Sequence, residues 1–258
     1  MNYLVEGLQG SGKSTLVGKL QEKYPGYTVY REGDYSPIEL AWCALVSKEK
    51  YEEILDKYSD LKPQIEEKSH EENGNVIVCY TKVQTDRHEF YQELEEYEIY
   101  NGRKSLDEFR SIVLNRYKRW EGDDSIFECS LFQNTIEDMI LYRNATDEEI
   151  FELYKETAKT LEGKKIHIAY LKSEDIKANI DVIRKERSDD KGNELWFPLM
   201  LQFFDNSPFA KANNVSGEQA LVDHLKHRQE LEIRLCEELF PGKYTILISK
   251  GYDQTDFR

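Results

Sequence analysis

The sequence predicts an α/β fold in which helices cover both faces of a doubly wound, mainly parallel sheet. Short apolar runs, most of them rich in Val, Ile and Tyr, alternate with longer stretches of helical spacing. A glycine-rich loop joins the first apolar run to the first helical stretch. Such runs are typical of strands buried in a sheet. Strands that alternate with helices pair in parallel, because each helix carries the chain back across the sheet.

Six segments have the length and composition of sheet strands. They are Asn2–Glu6, Tyr27–Arg31, Val76–Tyr80, Ser125–Glu128, Lys165–Leu171 and Lys243–Ser249. Two later helices are predicted to begin at capping boxes, Thr146 with Glu149 and Ser216 with Gln219, because each pair has the required spacing. The second of these helices should end near Leu239, before Pro241-Gly242.

The segment from Ser47 to Trp120 has the least sheet-like pattern. Its spacing is mostly helical, and it is strongly acidic from Glu89 to Glu98. We interpret residues 47–120 as a helical insertion, interrupted by the strand at Val76–Tyr80, within a single domain that spans residues 1–258. The acidic run is interpreted as a solvated helix face.

Composition and charge limit the classes of protein to consider. The chain has 258 residues, of which 39% are hydrophobic and 12% aromatic, so it can bury a sizeable core. Its 50 acidic and 35 basic residues give a net charge of -15. Because a field of this sign repels phosphate backbones and anionic lipid, we expect no nucleic-acid partner and no membrane partner.

Targeting and cysteine patterns favour a soluble, cytoplasmic protein. The most apolar run, Trp196–Phe204, contains a proline and a glutamine and is too short to span a bilayer. The first residues do not form the apolar stretch of a signal peptide. The cysteines, which show neither a C-x-x-C pair nor zinc spacing, are Cys43, Cys79, Cys129 and Cys236.

The strongest motif is Gly7-Leu8-Gln9-Gly10-Ser11-Gly12-Lys13-Ser14, which fits G-x-x-x-x-G-K-[ST]. The strand Asn2–Glu6 precedes it, and an amphipathic helix from Lys13 to about Tyr24 should follow it. The glycines let successive backbone amides point inward at phosphate oxygens, and the positive end of the helix lies at the same place. The motif therefore predicts a site for a nucleoside triphosphate.

The residues expected to bind the nucleotide are Gly7, Gly10, Ser11, Gly12, Lys13, Ser14 and Thr15. Lys13 should reach the β- and γ-phosphates, and Ser14 should offer its hydroxyl to Mg²⁺. We expect ATP as the phosphate donor, although the motif does not distinguish ATP from GTP. No Asn-Lys-x-Asp follows the late strand, as a switch GTPase would require, and this absence favours a small-molecule kinase.

Four segments, in the expected order, resemble motifs of the nucleoside and nucleotide kinases, namely the deoxynucleoside kinase and thymidylate kinase families. They are the P-loop at Glu6–Thr15, the second strand end at Tyr30–Pro37, the third strand end at Phe127–Ser130, and Ala169–Lys172 followed by Arg184–Arg187. The resemblance implies a P-loop NTPase fold with a lid. It departs from the family at Cys129, where the family has an arginine that helps to hold the acceptor in deoxynucleoside kinases.

Metal binding is predicted at Ser14 and Glu128. Glu128 ends an apolar strand at the carboxyl edge of the sheet, where ligands bind in open α/β folds. It should place Mg²⁺ with Ser14, directly or through water. The alternative is a surface carboxylate at a strand end.

Proton abstraction from the acceptor hydroxyl is assigned to Glu32 or Asp34, which close the second strand. Glu32 matches the family's catalytic carboxylate slightly better. The alternative for Asp34 is that it caps a helix after Pro37.

A lid is predicted at residues 184–193. Arg184 and Arg187 share a helix face and could close on phosphates as a fork, with catalytic roles. The alternative is surface pairing with Asp181 and nearby acids. His224 and His227 are interpreted as an ordinary helix face rather than a metal site. An aromatic cluster is interpreted mainly as core; its members are Trp196, Phe197, Phe203, Phe204 and Phe209.

Taken together, these residues predict an ATP-dependent phosphotransferase that moves the γ-phosphate of Mg-ATP to a small acceptor, most readily a nucleoside or nucleotide. Two alternatives stay open. One is transfer to a non-nucleoside such as an antibiotic or metabolite, and the other is a nucleotide-dependent regulatory ATPase. A homodimer is compatible with the sequence but not required by it.

Overall fold

The computed structural model describes residues 1–251, so the last seven residues of the predicted 1–258 domain lie outside it. The strands in this part of the chain are β1 (Asn2–Gly7), β2 (Thr28–Tyr30), β3 (Ala44–Ser47), β4 (Ser69–Glu72), β5 (Asn75–Val78), β6 (Ser125–Glu128), β7 (Ile166–Lys172) and β8 (Tyr244–Ile248). The α-helices are α1 (Lys13–Lys23), α2 (Lys48–Lys57), α3 (Lys62–Glu67), α4 (His88–Glu95), α5 (Leu106–Arg119), α6 (Gln133–Glu137), α7 (Asp147–Thr160), α8 (Ile176–Glu186), α9 (Trp196–Asn206), α10 (Pro208–Asn213) and α11 (Gly217–Leu239).

The chain forms two compact units. The first contains Met1–Val29 and the chain from Glu121 onward, and the second is Tyr30–Trp120. The predicted insertion at 47–120 lies within the second unit. That these units act as one domain stays a prediction.

The first unit contains a sheet with the strand order β2-β6-β1-β7-β8. β1 pairs in parallel with β6 and β7, and β7 pairs in parallel with β8. Helices lie on both faces of this sheet, which confirms the predicted fold class. From β1 the chain extends the sheet first to one side and then to the other. The carboxyl end of β1 is therefore the switch point where open α/β sheets bind ligands.

The core of the first unit explains why β1 and α1 form. Leu4 and Val5 are fully buried on β1, and Leu16 and Val17 on α1 are also 0% exposed. The α1 residues share a cluster with Ile126 of β6 and Leu171 of β7. This packing anchors the loop between β1 and α1 at both ends.

The second unit contains a three-stranded antiparallel sheet in the order β3-β5-β4. Asn73 and Gly74 join β4 to β5, and both have a positive φ (52° and 81°), as a tight hairpin requires. The sequence predicted only β5 here. It missed β4 because the segment Ser69–Glu72 is polar, and it missed the short strand β3 as well.

One of the two predicted capping boxes forms. The Thr146 side chain accepts from the Glu149 N–H, and Glu149 reaches back to Thr146, at the start of α7. Helix α11 begins directly after Ser216, as predicted, but the Ser216 side chain makes no cap hydrogen bond. The Gly217 N–H instead donates to Asp205 Oδ1 at 2.9 Å. Helix α11 ends at Leu239, as predicted.

None of the helices within residues 1–251 has both the length and the apolar character needed to cross a membrane.

Candidate nucleotide-binding site

The glycine-rich loop lies between β1 and α1, at the carboxyl end of the central strand. Gly7, Gly10 and Gly12 have positive φ angles of 137°, 73° and 93°. Residues that carry a side chain rarely adopt this backbone conformation, so the glycines allow the loop to turn tightly. Gly12 precedes the first turn of α1, where free backbone amides and the helix dipole favour an anion.

Two of these glycines are also required by close neighbours. A Cβ built on Gly7 would lie 2.6 Å from the Leu171 carbonyl oxygen, and one on Gly10 would lie 2.5 Å from Ile183 Cγ1. Ile183 belongs to α8, so this helix packs directly against the loop. A Cβ on Gly12 would meet nothing within 4 Å, and its glycine serves only the backbone conformation.

Lys13 is buried and its ammonium group lies against the loop itself. Nζ donates to the carbonyl oxygens of Gly7 and Leu8, both at 2.8 Å, and to Gln133 Oε1 at 3.1 Å. Ser11 Oγ, which is fully buried, has no hydrogen-bond partner among the described residues. A buried cation and an unpaired hydroxyl within a glycine-rich loop fit a polyphosphate ligand.

Ser14 and Glu128 lie side by side at the base of the loop. Ser14 Oγ donates to Glu128 Oε1 at 2.5 Å, and Glu128 is 7% exposed at the end of β6. Thr15 follows on the exposed side of α1. A hydroxyl and a carboxylate oxygen are hard donors of the kind that Mg²⁺ takes, together with water and phosphate. The two residues predicted to hold the metal are therefore close together.

The two histidines of α11 lie close to carboxylates. Among residues 1–251 no cluster of three His, Cys, Asp or Glu side chains could hold a metal ion. His224 Nε2 lies 2.7 Å from Glu137 Oε2, and His227 Nε2 lies 2.9 Å from Asp147 Oδ1. Both histidines thus have carboxylate partners on neighbouring elements.

Glu6 is a site residue whose role the sequence did not reveal. It is fully buried beside the loop, and its carboxylate accepts the N–H groups of Leu131 at 2.7 Å and Phe132 at 3.3 Å. Burial raises its pKa to about 8, and nearby Glu232 adds to the shift. Glu6 therefore ties the end of β1 to the turn that follows Glu128.

Cys129 lies within that turn. It adopts a left-handed backbone conformation with a φ of 54°, and its N–H donates to the Val5 carbonyl oxygen at 3.1 Å. Its thiol is 1% exposed, so residue 129 points into the protein and not toward solvent. Non-glycine residues in this backbone conformation are uncommon and often lie at functional sites.

The predicted lid arginines make different contacts. Arg184, on α8, donates to Glu218 Oε2 at 2.6 Å and lies 3.3 Å from Asp181, and its guanidinium stacks 3.6 Å from the Phe197 ring centroid. Arg187 follows the last helical residue and stacks on Trp196 at 4.6 Å. The alternative to a phosphate-binding role was surface pairing of Arg184 with Asp181, and the structure contains this pair.

The rest of the lid segment is a compact polar turn. Asp189 accepts from the backbone N–H groups of Lys191 and Asn193, at 2.9 and 2.8 Å. Of the aromatic cluster that follows, Phe197 and Phe204 are buried, whereas Phe203 is 40% exposed.

The two candidate bases belong to the second unit. Asp34 lies 3.0 Å from Lys82 Nζ, and its other oxygen accepts the Arg31 N–H at 3.3 Å. Glu32, two residues earlier in the chain, is half-buried. No helix follows Pro37, so the alternative that Asp34 caps one was wrong. Which of the two abstracts a proton stays a prediction.

The parallel sheet, with this loop between its central strand and the first helix, defines a P-loop NTPase fold. Among the solved structures that the chain resembles is that of deoxyadenosine kinase from M. mycoides with bound dATP. The identity is 14% and the TM-score 0.41, over 99% of this chain and 95% of that one. No family model and no curated protein matches the chain.

Proposed function

We propose that the chain is an ATP-dependent phosphotransferase that moves the γ-phosphate of Mg-ATP to a small acceptor, a nucleoside or nucleotide. The observation that carries this proposal is the buried Lys13 ammonium within the glycine loop, next to the Ser14–Glu128 pair. Phosphoryl transfer asks the protein mainly to position the phosphates and neutralise their charge. These groups are suited to both tasks.

The roles follow from the contacts. Backbone amides of Gly7–Ser14 would cradle the phosphates, and Lys13 would exchange its carbonyl partners for phosphate oxygens. Ser14 and Glu128 would hold Mg²⁺, which when bound neutralises phosphate charge. Glu32 would accept the proton of the acceptor hydroxyl. Arg184 and Arg187 would contact phosphates only after leaving their present partners.

The acceptor class is proposed from the order of the four kinase-like segments in the chain. Cys129 supports a second candidate, transfer to a non-nucleoside. Its buried thiol cannot offer the charged donor that the family's arginine supplies.

The test is a transfer assay with pooled acceptors. The full chain is incubated with Mg-ATP and separate pools of nucleosides, nucleoside monophosphates, sugars and aminoglycosides. Mass spectrometry then detects any acceptor that has gained one phosphoryl group. We expect a product in the nucleoside or nucleoside monophosphate pool. A product only in another pool would move the assignment to a non-nucleoside acceptor.

Lys13→Ala is the matched control. It should abolish the product while circular dichroism shows an unchanged fold. A product that survives this substitution would exclude the loop as the phosphate site. If ATP is hydrolysed and no pool gives a product, the protein is a nucleotide-dependent ATPase and the kinase proposal fails.

A further inference from the structure

A fully buried arginine lies behind the phosphate loop. Arg228, in the middle of α11, has an exposed fraction of 0%. A buried guanidinium needs compensating partners, since its desolvation is costly. Two carboxylates supply them: Arg228 Nε lies 3.0 Å from Glu232 Oε1, and Nη1 pairs with Glu137.

The two carboxylates of this cluster differ: burial raises the pKa of Glu232, whereas the pKa of Glu137 is lowered. Burial alone would raise the pKa of Glu137, but the Arg228 guanidinium and His224 outweigh it and lower the pKa to about 2. Glu137 is therefore ionised at neutral pH. Glu232 accepts a 2.6 Å hydrogen bond from the Tyr170 hydroxyl. The hydrogen bond from Nη1 to Glu137 therefore orients the guanidinium.

A second amino group of that guanidinium points at the loop. Arg228 Nη2 donates to the Gln9 side-chain oxygen at 2.9 Å. Gln9 lies between Gly7 and Gly10, the two loop glycines with close neighbours. This contact links the ion cluster directly to the loop.

The contact closes a ring of side chains around the loop. Lys13 donates to Gln133 of α6, and Glu137 lies one turn later on the same helix. Glu137 pairs with Arg228, and Arg228 reaches back to Gln9. Both halves of the loop are therefore fixed to α6 and α11.

We infer that Arg228 is a positioning residue that holds the phosphate loop in its binding conformation through Gln9. This inference rests on the proposed function, because it assigns Arg228 to the same nucleotide site. Glycine-rich backbone is costly to order. A loop that is already fixed by a side-chain bond loses less freedom when phosphates bind, and it therefore binds them more tightly.

The test separates binding from stability. Gln9→Met removes the acceptor at a half-buried position and leaves the ion cluster intact. We expect the Kd for Mg-ATP to rise about tenfold, as for a lost hydrogen bond to a charged group. The KM for ATP should rise in parallel, with a smaller effect on kcat and an unchanged thermal midpoint. Arg228→Lys keeps the positive charge but removes the guanidinium that contacts both Glu137 and Gln9. It should also raise the Kd for Mg-ATP.

The matched control is Arg234→Ala. Arg234 forms the same i,i+4 pair on α11, with Glu238 at 3.0 Å, but on the surface. It should leave the Kd unchanged. The double variant Gln9→Met with Arg228→Lys should bind no more weakly than Gln9→Met alone, because the two residues act through one bond.

The outcomes distinguish the inference from the proposed function. If the unaltered chain binds no Mg-ATP, the proposed function fails. If it binds Mg-ATP and Gln9→Met binds it equally well, the function stands and the inference is overturned. Additive effects in the double variant would also overturn it, because Arg228 would then act independently of Gln9.

Discussion

The Ser14 hydroxyl donates a 2.5 Å hydrogen bond to the carboxylate of Glu128, a residue 114 positions later in the chain. The first lies at the start of α1 and the second at the end of β6, which pairs with β1. The parallel pairing brings both to the carboxyl edge of the sheet. We propose that this pair, and not Ser14 alone, is what recruits the metal.

Glu128→Gln should raise the Mg²⁺ concentration needed for half-maximal activity. Loss of one oxygen ligand or its support typically costs about 10–100-fold in metal affinity. Titration of activity with Mg²⁺ measures the shift. Asp123→Asn, at an exposed position two residues before β6, is the control and should not change that Mg²⁺ concentration. Equal curves for the unaltered chain and Glu128→Gln would remove Glu128 from the site.

Glu32→Gln should lower kcat by ~10²–10⁴-fold, the usual loss of a general base. Asp34→Asn should have a much smaller effect, since Asp34 is paired with Lys82 at 3.0 Å. Steady-state kinetics at saturating acceptor compare the two variants. If Asp34→Asn causes the larger loss, the base is Asp34, and the lysine serves to hold it.

Gly7→Ala should destabilise the protein more than Gly12→Ala. Both positions have a positive φ, which costs a residue with a side chain roughly 1–2 kcal/mol. Only at Gly7 would the new Cβ lie 2.6 Å from a backbone oxygen, that of Leu171. Overpacking of this kind adds about 1–3 kcal/mol. Urea unfolding measures both, and equal losses would contradict the steric argument.

Stability should decrease as pH rises from about 5 to 8. Burial raises the pKa of Glu6 to about 8 and that of Glu39 to about 7, from an ordinary 4.5. At a pH between 4.5 and the raised pKa, each carboxyl group stays protonated in the folded chain but has lost its proton in the unfolded chain. The free energy of unfolding then falls with pH, by at most about 1.4 kcal/mol per pH unit for each group.

Glu6→Gln tests this assignment, because glutamine mimics the protonated carboxyl group. Its free energy of unfolding should fall less steeply between pH 5 and pH 8 than that of the unaltered chain. The exposed Glu121→Gln is the control and should keep the original slope. Parallel curves for Glu6→Gln and the unaltered chain would show that Glu6 does not titrate in this range.

Much of the fold could be predicted because local sequence patterns determine where many of its strands and helices form. Ser125–Glu128 is a strand over the predicted residues, and α1 and α11 end within a residue of the predicted positions. The misses arise where tertiary contacts outweigh the local pattern. Strand β4 is polar, since its pairing with β5 and not its composition makes it a strand. Ser216 precedes α11 but makes no cap hydrogen bond, and Asp205 of α9 accepts the Gly217 N–H there.

The sequence by itself determined the phosphate loop, because all of its chemistry lies in eight consecutive residues. It also determined the alternation of strands and helices, and so the sheet that positions the loop. Only the tertiary structure decided which distant groups support that loop. Glu6 binds backbone amides 125 and 126 positions away, and Arg228 reaches Gln9 across 219 positions. No local sequence pattern predicts such contacts, because a buried polar group forms its hydrogen bonds with residues that the fold places next to it, however distant they are in the chain.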